Sequence, residues 1–175
     1  DAYETPLGIV EIDQVMTDKL VENSKTIFRS IQGHRREHAL EVQIPFLQSV
    51  LRDFKIVPVV MGDQSKMFVD ELAEKISKVV DDETLIVASS DMSHFYSSEE
   101  ADKLDSVVER RINNFDFEKL LTDLDNHECE ACGGGPIAAM MKAAALKKIN
   151  KSFVIHRSDS GDVTGDKSEV VGYLS

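Results

Sequence analysis

Residues Thr84 to Glu100 read TLIVASSDMSHFYSSEE. The run Leu85 to Ala88 is apolar and opens into Ser89, Ser90, Asp91, Met92, Ser93 and His94. Such a run predicts a buried strand that delivers a carboxylate and an imidazole, three residues apart, at its tip. In open α/β sheets, ligand sites gather beyond the carboxyl ends of strands. Asp91 and His94 are therefore the first candidates for chemistry. A carboxylate there can hold an imidazole in one tautomer, or share a cation with it. The structural alternative is an Asp91 that caps a turn beside an ordinary polar histidine.

Working outward, Ser97 to Glu100 matches a Ser-x-x-Glu capping box and precedes the helical stripe Leu104, Val107, Val108, Ile112. A shorter helix is expected over Phe117 to Leu124. Pro136 lies where a first helical turn tolerates proline, followed by an apolar face of Ile137, Met140, Met141, Ala144 and Ala145. Upstream, GIVEID (Gly8 to Asp13) alternates like a half-buried strand, and Met16 and Leu20 start a short helix. Leu40, Ile44, Leu47 and Leu51 recur at helical spacing, with Pro45 predicting a kink or a late start. FKIVPVVMG (Phe54 to Gly62) reads as a strand despite Pro58. Phe68, Leu72, Ile76 and Val79 mark the next helix. SFVIHR and EVVGYL are expected as closing strands around the turn SDSGDVTGD.

Strands and helices alternate. That pattern predicts an α/β fold, a layered sandwich with a central, mostly parallel or mixed sheet flanked by helices. No repeat, low-complexity tract or linker divides the 175 residues, so 1–175 is expected as a single domain. The net charge of -12, from 32 acids against 20 bases, repels nucleic-acid phosphates and anionic lipid. Neither nucleic acid nor membrane is expected as a partner. The longest apolar stretch, Pro136 to Ile149, is cut by Lys142, Lys147 and Lys148 and is too short to span a bilayer. No signal-peptide pattern and only two cysteines make a cytoplasmic address the expectation. The chain starts at Asp1 without an initiating Met, as a processed product or a fragment would.

Three further constellations carry chemistry. Cys132, in HECEACGGGPIAAMM, stands before three glycines and the start of a helix, where the helix dipole favours a thiolate. Cys129-x-x-Cys132 with His127 nearby is a weak zinc pattern, and two reduced cysteines beside a glycine turn are the plain alternative. His34-Arg35-Arg36-Glu37-His38 spells H-x-x-E-H, an inverted zincin pattern in which His34 and His38 would bind zinc and Glu37 would act as base. Separately, His38 and Glu41 share a helical face and form either a cleft-lining pair or a solvated one. Asp159, Asp162 and Asp166 surround two glycines without EF-hand spacing and read as a turn.

Taken together, TPLG (Thr5 to Gly8), EHALEVQIPFL (Glu37 to Leu47), PVVMG (Pro58 to Gly62), SSDMSH (Ser89 to His94), CGGGPI (Cys132 to Ile137), SGDVTGD (Ser160 to Asp166) and VVGY (Val170 to Tyr173) resemble the Memo family. The fold of that family is similar to class III extradiol dioxygenases. The resemblance implies that Cys132 is a thiolate reaching a metal centre, that His94 is a candidate ligand of the same metal and general acid/base, and that Asp91 is the acid beside it. His38 and Glu41 become cleft-wall groups, and His34 has no counterpart. The family's upstream half carries two further histidines, in a Pro-His-Ala-Gly and a Ser/Asn-His segment, that do not occur here. The chain is then expected to be the C-terminal portion of a longer domain, missing its N-terminal strands, with an incomplete iron or copper site and an exposed sheet edge open to pairing with another chain.

Two functions follow from the resemblance. One is a Memo-like metalloprotein of unknown substrate, a metal-dependent redox enzyme related in fold to extradiol dioxygenases. The other is a non-catalytic module that holds a phosphopeptide or small-molecule ligand in the same cleft. The zinc peptidase is a minor third reading.

Overall fold

The computed structural model describes residues 2–34 and 37–175, which fall into two compact units. Unit 1 comprises residues up to 63 together with 78–84, and unit 2 comprises 64–77 and 85–175.

Unit 1 begins with a tight turn. Strands β1 (Ala2–Thr5) and β2 (Gly8–Glu11) run antiparallel with Thr5 opposite Gly8. Only Pro6 and Leu7 connect them, and Gly8 adopts φ 122, a conformation open to glycine because it lacks Cβ. Helix α1 (Gln14–Val21) starts where the Asp13 carboxylate accepts the Met16 N–H at 2.8 Å, capping a donor the helix cannot satisfy itself. Beside it, Ile12 and Ile56 form an isolated parallel bridge. Helix α2 (Ala39–Val50) starts two residues after Glu37, and Pro45 lies inside it without ending it. The Thr5 hydroxyl donates to Gln48 at 2.6 Å and ties β1 to α2.

Unit 2 holds the larger core. It takes in most of α3 (Lys66–Val79), which buries Val69, Leu72 and Ala73. Strand β3 (His94–Tyr96) leads into α4 (Ser98–Asn113) through the expected cap. The Ser97 hydroxyl accepts the Glu100 N–H at 3.4 Å and donates to the Glu100 carboxylate at 2.7 Å. Next comes α5 (Phe117–Asp125), which packs against both α4 and α6 (Gly134–Leu146). Met92, Val108, Leu120, Cys129, Ile137 and Met141 form the centre of this packing. Strand β4 (Arg157–Asp159), the one-turn helix α7 (Gly161–Thr164) and β5 (Val170–Leu174) close the chain, in an antiparallel sheet of order β3-β5-β4.

The α/β class is therefore as expected, but the sheet is not. Among the described residues both sheets are small and antiparallel, and the single parallel contact is the Ile12–Ile56 bridge. Among the described residues TLIVAS forms no strand, FKIVPVVMG contributes only Ile56, and SFVIHR pairs as a strand only from Arg157. A strand exists when its backbone finds a neighbour, and β-branched composition alone does not provide one. The turn SDSGDVTGD also holds more structure than expected, since α7 lies within it and ends on Gly165 at φ 80. No helix among the described residues is long and apolar enough to cross a membrane.

Candidate functional site

Asp91 is the joint of the site in unit 2. Its N–H donates to the Cys132 sulfur at 3.1 Å, and its carbonyl accepts the Cys132 N–H, also at 3.1 Å. His94 Nε2 stands 3.7 Å from Asp91 Oδ2, an ion-pair separation rather than a hydrogen bond. Asp91 thus links the thiol and the imidazole that the sequence singles out. Cys132 and Asp91 are exposed and His94 is half-buried, so solvent and small solutes reach all three.

Each group is placed by its element. The Asp91 segment is pinned at Met92, whose N–H donates to the Gly172 carbonyl of β5 at 2.9 Å. Ser93 donates its N–H to the buried Asp105 of α4 at 3.0 Å, and burial raises the Asp105 pKa above the ordinary carboxylate value. A Cβ at position 172 would overlap Asp105 Oδ2, which gives the glycine of VVGY a steric reason. Phe95 lies at φ 65, on the left-handed side that bulky residues avoid, where the β3–β5 register slips between His94 and Tyr96. Tyr96 donates its hydroxyl to Glu130 at 2.6 Å, tying β3 to the cysteine loop, and that carboxylate raises the tyrosine pKa.

The cysteine loop sits close against the strand tip. The Gly133 N–H donates to Ser90 Oγ at 2.8 Å, and Ser90 Oγ lies 3.8 Å from the Cys132 sulfur. A Cβ at position 133 would overlap the Ser89 carbonyl, so glycine permits the approach. Gln64 completes the clamp. Its amide nitrogen donates to the Cys132 carbonyl at 2.8 Å, and its amide oxygen accepts the Gly135 N–H at 2.7 Å. Sequence reasoning missed Ser90 and Gln64 as supports. Ser90 lay inside the quoted motif, whereas nothing local marks Gln64, which is 68 residues from Cys132.

The family model described as Memo-like protein matches residues 1–175. The chain belongs to the Memo-like protein family. This Memo-like chain is 40% identical over 174 residues to a "MEMO1 family protein" of Methanobrevibacter smithii, an alignment covering 98% of the chain and 62% of that relative. It is 38% identical to one of Sulfurisphaera tokodaii (99% and 62%) and 36% identical to one of Thermotoga petrophila (99% and 62%). The chain spans about three-fifths of the length of these relatives.

The other candidates of the Memo-like chain stand apart from this clamp. His38 and Glu41 belong to unit 1, where His38 Nδ1 meets Glu41 Oε1 at 2.7 Å with the His38 side chain 78% exposed. The hydrogen bond and charge of Glu41 raise the His38 pKa. The H-x-x-E-H reading fails on its helical premise. His34 ends a 3-10 turn and bonds Tyr3 Oη at 3.0 Å, while Glu37 accepts the His38 and Ala39 N–H groups ahead of α2. Arg35 and Arg36 of that motif lie outside the described residues. The CxxC also opens out, because Cys129 is a core residue whose pKa burial pushes up to about 11, while Cys132 is exposed. In the acidic turn, Lys167 Nζ reaches Asp159 at 2.8 Å and Asp162 at 2.6 Å, which offsets their charge.

The donor types at Asp91, His94 and Cys132 suit iron or copper, but their number does not. Among the described residues no group of three or more His, Cys, Asp or Glu converges to hold a metal.

Proposed function

We propose that this Memo-like chain carries the proton-transfer and thiolate part of a redox-type metalloenzyme site of unidentified substrate. The observation that supports it is the double tie from Asp91 to Cys132, at 3.1 Å each way, with His94 3.7 Å from the same residue's carboxylate. A bound iron or copper would supply redox chemistry. The chain's own residues then have narrower tasks. His94 gives or takes a proton at Nε2, and Asp91 orients the ring. The Asp91 N–H fixes the direction of the sulfur, and the Gln64 and Ser90 contacts hold the loop that carries it. Cys132 offers one soft ligand, and the remaining ligands come from outside the described residues.

The test is metal retention, under anaerobic, reducing conditions after desalting, by a Memo-like protein of its relatives' full length that contains this chain. Wild type is expected to keep Fe(II) or Cu(I) at up to one equivalent, and Cys132→Ala to lose it. No retention in either protein, or equal retention in both, rejects the reading.

The second reading is a binding module that holds a phosphopeptide or small ligand in the same place. The exposure of Asp91 and Cys132 favours it, and the net charge of -12 weighs against a general anion-binding face. Ligand binding that survives both His94→Ala and chelation would support it over the metalloenzyme.

A further inference from the structure

Helix α4 buries Ala101, Asp105 and Val108, spaced four and three residues apart on one face. Two of them are apolar, and the third is a carboxylate that is 2% exposed. Burying a carboxylate is costly unless it is bonded. The cation that faces Asp105 is Arg157 of β4, but its guanidinium bonds Asp102 at 2.6 Å and Glu109 at 3.1 Å instead. The bond that Asp105 does make is to main chain. Its Oδ1 accepts the Ser93 N–H at 3.0 Å, a hydrogen bond strengthened by the acceptor's charge. Its Oδ2 fills the space beside Gly172 that a Cβ there would need. The carboxylate is thus wedged between β5 and the segment that leads into β3.

Ser93 transmits that anchor, because it stands between Asp91 and His94. Main-chain bonds to β5 hold the segment on one side. The Met92 N–H donates to the Gly172 carbonyl and the Ser93 carbonyl accepts the Gly172 N–H, each at 2.9 Å. The Ser93 N–H is left for another acceptor, and Asp105 supplies it. Among the described residues, Asp105 is the one side chain that bonds the main chain of Met92 or Ser93. We propose that Asp105 is a positioning residue of the site, acting through the Ser93 main chain to keep His94 at ion-pair distance from Asp91 and the Asp91 N–H on the Cys132 sulfur. Asp105 touches none of these three side chains' reacting atoms. The assignment rests on the reading that Asp91, His94 and Cys132 act together, and the positioning itself is measurable without metal.

Hydrogen exchange read by NMR tests this on a metal-free Memo-like protein of the relatives' full length that contains this chain. In wild type the Asp91 and Ser93 amides are expected to be protected. Asp105→Leu fills the space but offers no acceptor. It is expected to speed exchange of both amides at least about tenfold and to shift the His94 ring signals, while the core amides of Leu120 and Met141 keep their protection. The Asp91 amide bonds sulfur and not Asp105, so a role confined to filling space would leave it unmoved. Asp105→Asn keeps an oxygen acceptor and is expected to restore both protections and the ring signals. If Asp105→Leu exchanges throughout the molecule, Asp105→Ala, which removes the acceptor without adding bulk beside Gly172, replaces it with the same expected result. Unprotected amides in wild type, unchanged Asp91 exchange and His94 signals in the acceptor-less variant, or no restoration by Asp105→Asn overturns the inference. None of these readouts needs metal, so they stand or fall apart from the retention test.

Discussion

His38 and Glu41 show how little a close pair need mean. Their 2.7 Å contact is shorter than most in the molecule, yet the histidine is largely exposed. Glu41 raises the His38 pKa, chiefly by the hydrogen bond and then by its charge. The sign follows from linkage. A histidine whose folded pKa lies above its unfolded value of about 6.5 adds stability below that pH, and the contribution fades as pH rises through the raised value. An NMR titration of the His38 ring should therefore give a pKa above 6.5, and Glu41→Gln should return it toward that value. An unchanged midpoint in the variant would show that the pair does not persist in solution. At the same scale Asp105, Gly133 and Gly172 explain motif residues by fit: two glycines leave room for a carboxylate and a carbonyl.

Elements are held by what faces their neighbours. Helix α4 reaches α5 through Arg111, whose Nε donates to Asp123 Oδ2 at 2.6 Å with both side chains largely buried. Removing one partner of such a pair leaves the other charged and unpaired. Asp123→Ala is expected to lower the stability of unit 2 by about 3 kcal/mol, read from the urea midpoint. A loss below about 1 kcal/mol would mean that Arg111 relaxes to solvent, as an exposed pair would allow. The helices were readable from spacing and caps. Ser97 to Glu100, Pro136 and the Leu104 to Ile112 stripe are local signals, and each element formed where they pointed. The strands were less readable. TLIVAS has strong β composition, but pairing requires a second segment that no local pattern names.

For the molecule as a whole, charge is the broadest lever. At -12 the chain repels itself, and this repulsion opposes compaction until salt screens it. Raising ionic strength from about 0.01 M to about 0.15 M should raise the melting temperature. A fall would mean that local ion pairs, such as Arg157 with Asp102 and Glu109, outweigh the net repulsion.

The sequence alone determined the family, the α/β class and most of the helices, and it named Asp91, His94 and Cys132 as candidates, because motifs, caps and periodicities are properties of neighbouring residues. Tertiary structure decided the rest. It joined Cys132 to Asp91 across 41 residues, recruited Gln64, buried Cys129 away from its CxxC partner, and left Leu85 to Ala88 without strand neighbours among the described residues. The physical reason is that a side chain's partners and a strand's hydrogen bonds are fixed by which distant segments meet, and spacing along the chain does not encode that meeting.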